Sequence, residues 1–188
     1  MALTLNLDAS FSHHTMAPDK NHPNNLKLPV LHYKQVLNID DNGEQEVKEL
    51  FEKNGWSNSW TDGIQTYHHY HSNTHEVLAV IKGSCMLMIG GDDGSIQNLA
   101  KGDVIVLPAG VAHKNVQNSA DFTCIGAYPN GAEYDMNTCE TEAVSEAKEK
   151  IHKVPLPHRD PVFGDKGPVL ELWKSEEDET VLQKERQF

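Results

Sequence analysis

G-I-Q-T-Y-H-H-Y-H-S-N-T-H-E-V-L-A-V-I-K-G, residues 63–83, decides how the chain is read. It gathers four of the eleven histidines in the chain, so ligands are sought here first. In an extended chain the side chains alternate between two faces. That places His69 and His71 on one face, with Tyr67 and Gln65 behind them, and His68 and Tyr70 on the other. Ser72, Asn73 and Thr74 are small polar residues that suit a turn. Glu76 then opens a second strand, V-L-A-V-I, which ends at Lys82-Gly83. A hairpin of this form folds Glu76 back toward the two imidazoles. Two neutral nitrogen donors and one carboxylate on one wall suit a first-row divalent metal.

A second stretch, G-D-V-I-V-L-P-A-G-V-A-H at residues 102–113, supplies a further candidate ligand. Gly102-Asp103 forms a turn, Val104 to Leu107 an apolar strand, and Pro108-Ala109-Gly110 another turn. His113 opens the strand that follows. Placed after a rigid Pro-x-Gly turn, it pairs naturally with His69, His71 and Glu76.

The spacing resembles a known family. Gly63, five residues, His69-x-His71, four residues, Glu76, six residues and Gly83 are similar to the first cupin motif at every fixed position. Gly102, five residues, Pro108-x-Gly110, two residues and His113 are similar to the second. The closing asparagine departs from the pattern, since Asn115 and Asn118 flank the expected place. That position belongs to a turn and not to a ligand. The flanks N-N-L-K-L-P-V-L-H-Y-K, N-G-W-S-N-S-W and D-P-V-F-G-D-K-G-P-V-L-E-L-W resemble small single-domain bacterial cupins of the YjlB type. The resemblance implies a mainly β chain: a cupin-type double-stranded β-helix, or jelly-roll barrel, with a helix before and a helix after the barrel core. It implies metal ligation by His69, His71, Glu76 and His113, and pairing of two copies as a homodimer. Dioxygenation, decarboxylation and sugar isomerisation are the reaction types it brings.

The bulk properties fit one domain of 188 residues, long enough to bury a core. A net charge of -12 argues against nucleic acid and against an anionic membrane surface. Only Arg159 and Arg186 offer guanidinium forks for carboxylate or phosphate. Cys85, Cys124 and Cys139 lack the spacing of a disulfide framework or a zinc knuckle. No secretory leader or apolar span is legible, and a cytoplasmic location is expected.

In chain order, residues 1–25 read as a loose N-terminal arm containing His13, His14 and His22, with L-T-L-N-L as a possible edge strand. Residues 26–174 read as one cupin domain, and 175–188 as a charged tail that frays. Leu28 to Leu37 is a strand and Asp40 to Gly43 a turn. Glu44 to Lys53 is a helix with Val47, Leu50 and Phe51 on one face. Trp56 and Trp60 either line a mouth or cover the barrel end. Thr141 to Lys153 reads as a second helix. Leu156 to Trp173 reads as an extended tail that docks on the body.

Three imidazoles and a carboxylate suit Fe, Mn, Ni, Co, Zn or Cu as a divalent transition metal. On an octahedral ion they leave two positions open, and on a tetrahedral ion none. The expected function is metal-dependent action on a small oxygen-rich molecule, with a dioxygenase-like oxidoreductase ahead of a sugar isomerase or decarboxylase. A non-catalytic small-molecule-binding protein is the other reading. Glu76 and Tyr67 are the candidate catalytic residues, Tyr67 as a general acid or substrate anchor. Leu78, Val80, Met86 and Met88 are candidates for the dry lining, and His75 for a support or gate.

Overall fold

The computed structural model describes residues 3–40, 43–140 and 143–174. The expected tail at 175–188 lies outside them, as do the middle of the turn at 40–43 and Thr141. Among the described residues the elements run β1 (Thr4–Leu5), β2 (Ser10–Met16), β3 (Asn25–Lys34), β4 (Leu37–Asn38), α1 (Gly43–Lys53) and β5 (Trp56–Asp62). Then come β6 (Glu76–Lys82), β7 (Ser84–Ile89), β8 (Ser95–Ala100), β9 (Val104–Leu107), β10 (His113–Asn118) and β11 (Thr123–Pro129). The short helices α2 (Val144–Ile151) and α3 (Pro168–Leu172) follow.

The strands form two facing antiparallel sheets, a jelly roll. The larger has the order β2-β3-β9-β6-β11-β5, the smaller β10-β7-β8, and β1 pairs with β4 beside them. The apolar runs V-L-A-V-I and V-I-V-L are continuous because the large sheet is covered on both faces. Alternation splits its residues between two cores. Val77, Ala79, Val104, Val106, Ile125 and Ala127 face outward, under α1 and the C-terminal segment. Leu78, Val80, Ile105, Leu107 and Cys124 face inward, toward Cys85, Leu87 and Ile89 of the small sheet. Glu76 shares the inward parity of Leu78 and Val80. Helix α1 forms as the three- and four-residue spacing predicts, with Val47 and Phe51 fully buried.

Two stretches differ from the sequence expectation. The arm before Asn25 carries β2, which pairs with β3 from Ser10↔Lys34 to Met16↔Asn25. Its Ser-His-rich composition hid the strand, because an edge strand with one exposed face needs few apolar residues. The C-terminal segment is not extended throughout, since Pro168 at the first helical position starts α3.

That segment is fastened by Asp160, whose side chain is fully buried. Oδ1 accepts from the backbone N–H groups of Val162 (2.9 Å) and Phe163 (3.0 Å), and Oδ2 from Val169 N–H (3.1 Å) and the Tyr33 hydroxyl (2.6 Å). Trp173 completes the dock by donating to Pro29 O at 2.9 Å. No helix among the described residues is long and apolar enough to cross a membrane.

Asp103 ties the turn before β9 to β3. Its carboxylate accepts from Gln35 N–H (2.8 Å) and Ala100 N–H (3.0 Å), with His32 Nε2 3.3 Å away. Burial opposes its ionisation, but these donors outweigh burial and hold the carboxyl below its ordinary value. The folded state therefore binds this proton less readily than the unfolded chain. The stabilisation is complete above the ordinary carboxylate range and is lost as pH falls through the lower folded value. Urea unfolding midpoints should drop on acidification below about pH 4, and Asp103→Asn should flatten that part of the profile.

Candidate metal centre

The site is built from the gap between the sheets. His113 is the first residue of β10. On one side it pairs with Ile89 of β7 and on the other it bridges to His69. His113 N–H donates to His69 O at 2.9 Å, and His69 N–H returns a bond to His113 O at 3.1 Å. Gly110 N–H donates to His71 O at 2.8 Å. The turn needs glycine there, because Gly110 sits at φ +90°. The first histidine pair thus extends the small sheet, whereas Glu76 opens β6 in the large one.

This corrects the hairpin expected for residues 63–83. Residues 63–68 are irregular, with bends at Thr66 and Tyr67, and the segment pairs with β10 instead of β6. Glu76 does reach the imidazoles, but from across the interior.

His69, His71 and His113 offer ring nitrogens that lie within 4.8 Å of one another. The ring centroids of His69 and His113 are 4.1 Å apart. Each Nδ1 faces a backbone carbonyl: Tyr67 O for His69 (3.3 Å), Asp135 O for His71 (2.5 Å) and Val111 O for His113 (3.0 Å). A carbonyl oxygen only accepts, so each Nδ1 carries hydrogen and each neutral ring presents its Nε2 lone pair. Glu76 Oε2 lies 3.4 Å from Nε2 of both His71 and His113. It is buried and has no hydrogen-bond donor. A buried carboxylate oxygen facing lone pairs calls for a cation or a proton between them. Donors 3.4 Å apart, as Glu76 Oε2 is from the two imidazole nitrogens, can share an ion at about 2.1 Å from each, so the residues present fit a divalent metal.

Charge couples these groups. Burial, and then the neighbouring His113, push His69 down to about 3. Burial also works against a charged His71, but the Glu76 carboxylate overrides it and raises that imidazole. For Glu76 burial acts upward, yet His71 and His113 hold the carboxyl well below its usual range.

An open cavity of about 210 Å³ lies above these four groups. Its other wall is aromatic. Trp60 Nε1 donates to the Tyr128 hydroxyl at 2.7 Å, and that hydroxyl donates to Glu76 Oε1 at 2.9 Å. Tyr134 stacks on Tyr128, with centroids 4.6 Å apart and planes at 24°. Gly126 makes room for the wall, since a Cβ there would lie 2.2 Å from Trp60 Cε2. Burial and the Glu76 charge push the Tyr128 phenol up, so it keeps its proton.

The other sequence candidates sort as follows. Tyr67 is 49 % exposed and does not line the cavity. Its ring meets His69 edge-on at 5.9 Å from outside. The alternation that placed it inside fails because the chain bends at this residue. Of the proposed lining, Leu78 reaches the cavity and Val80 packs in the inner core. Met86 and Met88 take the outer parity of β7 and are half-buried, while Cys85, Leu87 and Ile89 point in. Trp56 is buried and donates to Arg159 O at 3.0 Å, far from the mouth that Trp60 lines. His75 is buried behind the site, where its Nδ1 accepts from Ala109 N–H at 2.9 Å and steadies the Pro108-Gly110 turn.

Residues 63–140 match the family model described as Cupin. The YjlB protein of Bacillus subtilis (strain 168) is 42 % identical over 151 residues, covering 80 % of this chain and 89 % of its own length. The chain belongs to the cupin family. Two solved structures show more distant likeness. Acireductone dioxygenase from Bacillus anthracis, with a cadmium ion in its active centre, is 18 % identical over 51 % of this cupin and 68 % of that chain, at a TM-score of 0.37. An RmlC-like cupin with a double-stranded β-helix fold from Methanocaldococcus jannaschii is 16 % identical over 70 % and 92 % of the two chains, at a TM-score of 0.29.

Proposed function

We propose that His69, His71, Glu76 and His113 hold a divalent transition metal. We further propose that this cupin acts on a small oxygen-rich molecule as a dioxygenase-like oxidoreductase. The observation that carries the reading is Glu76 Oε2, a buried anionic oxygen with no donor, facing imidazole nitrogens whose far sides are already hydrogen-bonded. The ion, when bound, supplies Lewis acidity and open coordination positions for substrate and oxygen. The chain's own groups fix everything else. Three carbonyls orient the imidazoles, the Tyr128 hydroxyl holds the second Glu76 oxygen, and Trp60 holds Tyr128.

Two measurements test this. Elemental analysis of protein purified without added metal should give close to one transition-metal ion per chain. Oxygen uptake during a screen of acids, polyols and diketones should identify a consumed substrate, and Glu76→Gln should abolish that uptake. A metal-loaded protein that takes up no oxygen but converts a sugar or releases carbon dioxide would redirect the reading to an isomerase or decarboxylase. Binding without turnover would redirect it to a ligand-binding protein.

A further inference from the structure

Resting on the metal reading above, we infer that Asp135 is the positioning residue for His71: its carboxylate, closed on Ser72, aims that imidazole at the ion site. His69 and His113 hold each other through paired backbone bonds, whereas His71 stands outside that bridge. The Pro108-Gly110 turn holds its carbonyl through Gly110 N–H. Its ring is aimed by Asp135 O, 2.5 Å from Nδ1. Residues 132–136 carry no regular secondary structure, so no strand ladder fixes that oxygen. An imidazole is only as well placed as the acceptor behind it.

The Asp135 side chain supplies the fixing. Oδ1 accepts from Ser72 N–H at 2.7 Å, and Oδ2 accepts from the Ser72 hydroxyl at 2.5 Å. Ser72 is fully buried, and hydrogen bonds to a carboxylate are short and strong. One residue thus grips two neighbours, the ring of residue 71 with its carbonyl and residue 72 with its carboxylate. The carbonyl cannot shift without breaking the carboxylate contacts. Asp135 does not itself reach the ion site, since the opposite edge of the His71 ring faces Glu76, with Nε2 3.4 Å from Oε2. Tyr134, the residue before it, packs against the same ring, with centroids 5.0 Å apart. Other bonds strap this loop without touching the imidazole. Tyr70 and Asn137 exchange N–H···O bonds of 2.9 and 3.0 Å. Asn73 Nδ2 donates to Glu133 O, and Asn73 Oδ1 accepts from Asp135 N–H, both at 3.1 Å. Asn73 therefore ties the loop by two side-chain bonds, as Asp135 does, but bonds neither residue 71 nor residue 72.

The test measures Zn²⁺ affinity of the full-length protein by competition with a chromophoric chelator at neutral pH. Asp135→Ala should weaken Zn²⁺ by about 10–100-fold, the usual cost of losing a partner that orients a metal-binding imidazole. Asp135→Asn should recover most of that loss, because its amide oxygen still accepts from Ser72 N–H and its NH₂ can donate to the Ser72 hydroxyl. Asn73→Ala should leave the affinity nearly unchanged, although it frees the same loop. Unchanged affinity in Asp135→Ala, or an equal loss in Asn73→Ala, overturns the inference. Should Asp135→Ala not fold, Ser72→Ala carries the test: a several-fold loss upholds the inference and no loss overturns it. If the protein takes up no Zn²⁺, the metal reading fails by itself, and nitrogen-15 NMR of the imidazoles decides the positioning. The His71 Nδ1–H should then resist exchange in the unsubstituted protein and in Asn73→Ala, and exchange quickly in Asp135→Ala. Equal exchange in all three overturns the inference.

Discussion

His113→Ala is expected to leave the fold intact and lose nearly all bound metal. The side chain supplies one of three imidazole nitrogens, and its Nδ1 bond to Val111 O shows that its orientation is set before any ion arrives. Losing an outer-shell partner of a metal ligand already costs roughly 10–100-fold in affinity, so deleting the ligand itself should exceed about 100-fold. Because the backbone bridge between residues 113 and 69 involves no side chain, circular dichroism should be unchanged. Elemental analysis after dialysis gives the readout. His69→Ala and His71→Ala should behave alike. Full metal retention in any one of them would remove that residue from the site.

Asp160→Ala is expected to give the largest loss of stability. The substitution strands the Tyr33 hydroxyl and three backbone N–H groups that now donate to one carboxylate. At about 1 kcal/mol or more for each buried donor left without a partner, the cost should reach about 3–4 kcal/mol. Urea denaturation should show it directly. Tyr33 belongs to the outer core, on the far side of the large sheet from the candidate ligands, so metal content of the remaining folded protein should not change. Asp160→Asn keeps one acceptor oxygen and should cost about half as much.

The cluster of His69, His71, Glu76 and His113 was legible because its spacing is a covalent property of the chain. Whatever the local backbone did, His69-x-His71, Glu76 and His113 carried the pattern. The strands β6 and β9 were legible for a related reason, since apolar runs bounded by glycine turns leave few other solutions. Residues 63–68 were not, because strict alternation breaks down where the chain bends. The bend turns Tyr67 outward. Tyr128 could have been found by the same parity that places Cys124 and Gly126 inside, one step on from the Ala127↔Val77 pair. Tyr134 lies in a loop, where no period exists to follow. The split between Trp56 and Trp60 depends on a register shift in β5 against β11 between Gly126 and Tyr128, and such a shift leaves no trace in composition. Asp160 and its four donors come from distant parts of the chain, so only the folded arrangement reveals them.

Glu76 stands in one layer of the sandwich, His113 and its bridged partner His69 in the other, and His71 is tied beside them through the Gly110 N–H. An ion held by all four would act as a rivet through both layers, gripping the closed form and having little hold on the unravelled chain. Its free concentration would then set how much heat the protein withstands, rising with the logarithm of metal over dissociation constant. Chelation would loosen the two layers from each other first, at the end where the cavity opens.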